Sequence, residues 1–154
     1  MKQLKMMVAA LLLMGTTLSA TAQIAPVDKN KLAIGGYDVV AYFTTNKATQ
    51  GIKKYAATHN GVIYYFASAK NQKAFKINPV QYLPQCDGYC AWGVSEKSTK
   101  FPINPETFKV VGGKLYLFFN GDYNGQPFNT LTEWNKDERK QLAHIDDNWQ
   151  KIKN

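Results

Sequence analysis

Cys86 and Cys90 are the only cysteines of the chain, and Asp87-Gly88-Tyr89 stands between them. With His59 and His144 they are its strong nitrogen and sulfur donors, which allows at most one tetrahedral transition-metal site of that type. Spacing decides what the cysteine pair can do. Fully extended, the two α-carbons would lie about 13 Å apart at about 3.3 Å per residue, too far to share an ion or a bond. A reversal at Asp87-Gly88, or one helical turn, brings them to about 6 Å, within range of a disulfide and of two thiolates gripping one soft metal. Three chemistries stay open. An oxidising compartment favours a short-loop, reducible disulfide. Reduced thiolates favour copper(I) or zinc, with Cys86, Cys90 and His59 as the candidate ligands. The third is that both are small buried hydrophobes.

The two histidines differ in their expected settings. His59 precedes Asn60-Gly61 at an expected hairpin tip, from which it can reach a neighbouring loop. His144 shares a helix face with Gln141, Asn148 and Lys151, expected to be solvated, and is not taken as a ligand. All four methionines, Met1, Met6, Met7 and Met14, lie at the start of the chain, so the rest lacks the thioether of many copper sites. No nucleophile elbow, paired-histidine helix motif or phosphate-cradling glycine loop is present, and a non-catalytic protein is expected. A second class of function rests on nine tyrosines and three tryptophans. Tyr37, Tyr42, Tyr89 and Trp92, with Tyr64 and Tyr65 among the rest, are placed to line an apolar pocket with polar tips, for a small molecule or a cell-envelope partner. There the cysteines would form a structural disulfide.

The elements that must position these residues follow from turn and cap signals. Residues 52–58 and 62–66 flank Asn60-Gly61 and predict a hairpin, and 108–111 with 114–119 flank Gly112-Gly113 and predict a second. Asp38 is expected to cap a short helical turn carrying Val39, Val40 and Phe43 inward. Ser68 is expected to cap a helix over 69–77 that stops at Asn78-Pro79. Residues 95–104 read as a polar loop. Leu142, Ile145, Trp149 and Ile152 form an apolar stripe on a closing helix over 137–153. The fold class is α+β, a small antiparallel sheet from two hairpins packed with short helices and a C-terminal amphipathic helix.

Residues 1–22 carry Lys2 and Lys5, an apolar run over 7–14, and small residues at Ala20 and Ala22. This pattern predicts a secretory signal peptide cut near Ala22, and a periplasmic or secreted product. The apolar run is shorter than the roughly 20 residues a span requires, so no transmembrane segment is expected in the mature chain. Residues 23–34 read as a flexible polar lead-in and 35–154 as one domain. Of 19 basic residues, removing Lys2 and Lys5 leaves 17 against 11 acidic ones, a net charge of about +6. That charge is dispersed and contains one arginine, Arg139, so nucleic acid is not expected as a partner.

Taken as blocks, "GYDVVAYF" (36–43), "HNGVIYYFASAKNQKAFKINPVQYLPQ" (59–85), "GYCAWGVS" (88–95), "FKVVGGKLYLFF" (108–119) and "DDNW" (146–149) resemble the exported YHS-domain proteins of bacteria. The blocks span nearly all of the expected mature chain, in order. The resemblance implies a metal-associated domain, since shorter YHS domains look like cysteine-bearing metal modules with a Phe-Cys-Ser-x-x-Cys pattern. Here Phe66-Ala67-Ser68-Ala69-Lys70-Asn71 lacks both of those cysteines. Cys90 matches the Gly-Tyr-Cys-Ala motif of the exported branch, and Cys86 stands where that branch usually carries an aromatic residue.

Overall fold

Residue pairs that tolerate a left-handed backbone organise the strands. The computed structural model describes residues 23–154. Strands β1 (Ile52–His59) and β2 (Val62–Phe66) reverse at Asn60-Gly61, with φ of 49° and 77°. Strands β3 (Asn104–Val111) and β4 (Lys114–Phe118) reverse at Gly112-Gly113, with φ of 56° and 74°. Two consecutive positive φ values match the right-handed twist of the strands they join. Both hairpins stand where the sequence predicts them. A third was not expected: β5 (Asn120–Tyr123) and β6 (Gln126–Asn129) reverse at Asn124-Gly125, with φ of 55° and 77°.

The α+β class holds, but the hairpins do not merge into one sheet. They form three separate two-stranded antiparallel ladders among the described residues. Irregular segments take the edges a merged sheet would use. Leu32 bridges Ile63 on β2, and Pro84, which has no N–H to continue a ladder, bridges Leu115 on β4. The register also shifts between Ile52 and Ala56 and between Asn104 and Phe108, which bends both first strands.

The expected lead-in, 23–34, is part of the fold. Ile24 exchanges two backbone hydrogen bonds with Ile103, at 2.8 and 2.9 Å, and Val27 bridges Ala33. Its apolar residues, spaced too irregularly to read as a strand, find partners distant in sequence. The expected signal peptide, 1–22, lies outside the described residues. No helix among the described residues is long and apolar enough to cross a membrane.

Ser68 caps helix α2 (Ala69–Ile77) by accepting from the Asn71 N–H at 3.1 Å, as expected. Helix α3 (Ala91–Lys97) occupies the start of the expected polar loop and is buried from Ala91 to Ser95. A helix buried on every side shows no amphipathic period, and Gly93 weakens its propensity further. Helix α4 (Thr130–Lys136) leads into α5 (Glu138–Ile152), the expected closing helix. Ile145 of the stripe is 2 % exposed, but the face expected to be solvated is divided. His144 is exposed. Gln141 and Asn148 instead pack on α3, where the Ser95 hydroxyl donates to the Gln141 carbonyl at 2.8 Å and Asn148 Nδ2 donates to the Ser95 carbonyl at 2.8 Å. Polar side chains are placed there because the short α3 leaves backbone groups to satisfy.

Asp38 ties the first half of the chain together. Its carboxylate is fully buried. Oδ1 accepts the N–H groups of Val40 and Ala41 at 2.9 and 3.2 Å, starting helix α1 (Ala41–Thr44). Oδ2 accepts the Ala67 N–H at 2.8 Å and Asn71 Nδ2 at 2.7 Å, fixing the β2–α2 junction. Val39 and Val40 are thereby held in the core, while Phe43 is half-buried at its edge. Asp38→Ala leaves three donors without an acceptor, the Ala41 N–H keeping the residue-38 carbonyl, and is expected to lower the unfolding free energy by about 3 kcal/mol, measured by urea denaturation; a loss below about 1 kcal/mol would contradict this role.

Candidate functional site

Two left-handed turns define the site. In Ile34-Gly35-Gly36 the φ angles are 49°, 58° and 81°, and in Cys86-Asp87-Gly88 they are 54°, 50° and 82°. For β-branched Ile34 this is an outlier, and such strain costs on the order of 1 to 3 kcal/mol per residue unless its surroundings enforce it. Pro26 sits between the turns. Its carbonyl accepts the Ile34 N–H at 2.7 Å, and a Cβ at Gly88 would stand 3.1 Å from its own Cβ. Glycine at 88 therefore serves both the φ angle and the close approach.

Between the turns and the tip of the β1–β2 hairpin lies a cavity of about 290 Å³. Pro26, Val27, Ala33 and Ile34 form one wall, Val62 and Tyr64 of β2 a second, and Leu83 and Pro84 a third. His59, Asn60 and Asp87 supply its polar groups. The His59 ring meets the Phe75 ring edge-on at 6.1 Å, which orients the imidazole. Burial, with the Asp87 charge beside it, pushes the Tyr64 phenol up to about 12, so Tyr64 keeps its proton.

Both cysteines are free thiols, and no disulfide joins them. Cys90 is completely buried, its sulfur 3.2 Å from Thr130 Oγ1. The Thr130 hydroxyl spends its one proton on the Phe119 carbonyl at 2.9 Å, so the Cys90 thiol is the donor of that pair. Burial raises the Cys90 pKa. Burial likewise pushes the Cys86 thiol up to about 12, helped by the charges of Asp146 and Asp87 and by Cys90. A soft metal takes thiolates, and with no metal bound burial favours the neutral thiol at both positions. Cys86, Cys90 and His59 do not gather into one donor set: among the described residues, no three His, Cys, Asp or Glu side chains are grouped to hold an ion.

The four aromatics expected around a common pocket are dispersed. Tyr42 is buried and donates to the Pro105 carbonyl at 2.8 Å, and Tyr37 donates to Glu106 Oε1 at 3.2 Å. Burial raises the pKa of both phenols, Glu106 adding to it. Tyr89 pairs with Trp149 at 6.2 Å under the Lys100 ammonium, and Trp92 meets Phe128 edge-on at 5.5 Å. None of the four lines the cavity, whereas Tyr64 does. Ile34, Leu83 and Asp87 were not expected as site residues, whereas Tyr64 was named among the pocket tyrosines. Asp87 was legible only as a turn former, and the prolines flanking the site were the remaining signal. Matched against family models, curated proteins and solved structures, the chain finds no counterpart in any of the three.

The Cys86 setting has a pH signature. The folded chain keeps the Cys86 proton up to about 12, while the unfolded chain releases it near 9, so this contribution to stability is complete below 9 and is lost as pH rises from 9 towards 12. Urea denaturation on either side of that lower limit is expected to show a smaller alkaline loss in Cys86→Ala than in the wild type; equal losses would contradict the assignment.

Proposed function

We propose that the chain is an exported, non-catalytic module that binds a small, largely apolar molecule in the cavity between its two left-handed turns. The observation that carries this reading is the coincidence of strain and cavity: Ile34 and Asp87, non-glycine residues with positive φ, both line the same space. Strained backbone persists where it holds a functional surface in place. Apolar walls with a few convergent polar groups are the usual make-up of a ligand pocket. The Tyr64 phenol, the His59 imidazole and the Asp87 carboxylate would read one polar end of the ligand while proline, leucine and valine side chains enclose the rest. Export rests on the residue pattern over 1–22, and kinship with the YHS-domain proteins rests on the sequence blocks.

Indole, apolar with one N–H donor, is a suitable probe. Its titration is expected to shift the NMR signals of His59, Tyr64 and Leu83, and Val62→Trp, which narrows the cavity at the hairpin tip, is expected to weaken binding about tenfold at unchanged thermal stability. Failure of indole and related compounds to move those signals would contradict the reading. Stoichiometric copper(I) or zinc binding abolished by Cys90→Ser would replace it with the metal site.

A further inference from the structure

The third hairpin builds an aromatic cup that lies apart from the cavity described above. It is lined by Phe101, Pro102, Phe119, Asp122, Tyr123 and Phe128 and encloses about 220 Å³. The ring centroids of Phe101, Phe119 and Phe128 lie 6.4, 6.4 and 5.8 Å from that of Tyr123, at interplanar angles of 41°, 83° and 42°. The four rings thus border one space at several inclinations to one another. Tyr123 is 50 % exposed, a large apolar surface left open to solvent on a strand of four residues.

The chemistry of the lining is selective. Four π faces, each electron-rich, attract a cation. The one charged lining group is the Asp122 carboxylate, placed on the rim by the hairpin turn, where Oδ1 accepts the Gly125 N–H at 2.9 Å. Beyond Asp122 and the Tyr123 phenol, no lining side chain among the described residues offers a hydrogen-bonding group. A sugar or a primary ammonium would leave its donors unpaired against such walls, at a cost. A quaternary ammonium has no N–H donor to leave unpaired there. The lysines that stack on rings elsewhere, Lys54 on Tyr55, Lys97 on Trp92 and Lys100 on Tyr89 and Trp149, do not fill this cup. Among the described residues, no lysine or arginine lines it.

We infer that the cup formed by Phe101, Phe119, Tyr123, Phe128 and Asp122 binds a quaternary ammonium group of the choline type. The site is independent of the cavity at Ile34 and Asp87, and either can fail without the other.

The test compares two probes on the full wild-type chain: choline, and 3,3-dimethylbutan-1-ol, which has the same shape with carbon in place of the charged nitrogen. Choline is expected to shift the ring signals of Tyr123 and Phe128 in NMR spectra and the neutral alcohol to bind about tenfold more weakly, the difference being the cation–π and carboxylate attraction. Tyr123→Leu is expected to weaken choline binding about tenfold and Asp122→Asn several-fold, while Tyr123→Phe retains it. Equal affinity for the two probes would overturn the proposal, because the cup would then be an apolar hollow without charge selectivity. So would choline binding unaffected by Tyr123→Leu, shifts confined to His59 and Tyr64, or no binding at millimolar choline. The probe comparison needs no variant and stands even if a substitution unfolds the hairpin.

Discussion

Two segments far apart in sequence, 34–36 and 86–88, both run left-handed, and both close on Pro26. L-amino acids disfavour this conformation, so each turn stands only because its neighbours hold it. The Ile34 N–H bond to the Pro26 carbonyl anchors the first, and the contact of Gly88 with the Pro26 ring fits the second. From this arrangement the rest of the site follows. Ile34, Leu83 and Asp87 all line the cavity, and the chain runs on from Gly88 into helix α3. Residues 23–34 are therefore structural, because without Pro26 neither turn has a counterpart to close on.

The same geometry explains what became of the cysteines. The turn at 86–88 reverses the chain, as a shared site requires, yet it delivers the two sulfurs into different surroundings. Cys86 is buried within reach of the charge of exposed Asp146, and the Cys90 thiol hydrogen-bonds Thr130 at the start of α4. Burial opposes deprotonation of either thiol. The polar chemistry of the region passes instead to Asp87, Tyr64 and His59.

Local signals were legible where one residue type meets one backbone demand. Asn60-Gly61, Gly112-Gly113, Ser68 and Asn78-Pro79 each fix a boundary that neighbouring residues alone dictate, and the first half of Asp38's role, capping at Val40 and Ala41, is of this kind. Its second half, reaching Ala67 and Asn71, depends on tertiary placement and left no trace. Asn124-Gly125 carries the same signal as Asn60-Gly61, but its flanks are polar and contain Pro127, so the third hairpin went unread. Helix α3 was hidden because burial on every side erases periodicity. Of the site, His59 and the turn at 87–88 were legible. The left-handed state of Cys86 was not, since nothing in a cysteine demands it, and the direction of both thiols depends on it.

The strained wall is tested most directly at residue 87, where φ is 50° and the side chain is exposed. Urea denaturation and indole titration would be measured together for Asp87→Gly and Asp87→Asn. Glycine relieves the backbone, so Asp87→Gly is expected to gain about 1 kcal/mol of stability over Asp87→Asn and to bind indole more weakly than it does, because a relaxed wall no longer holds the cavity open. Equal stability and equal affinity in the two variants would contradict the claim that backbone strain maintains the site.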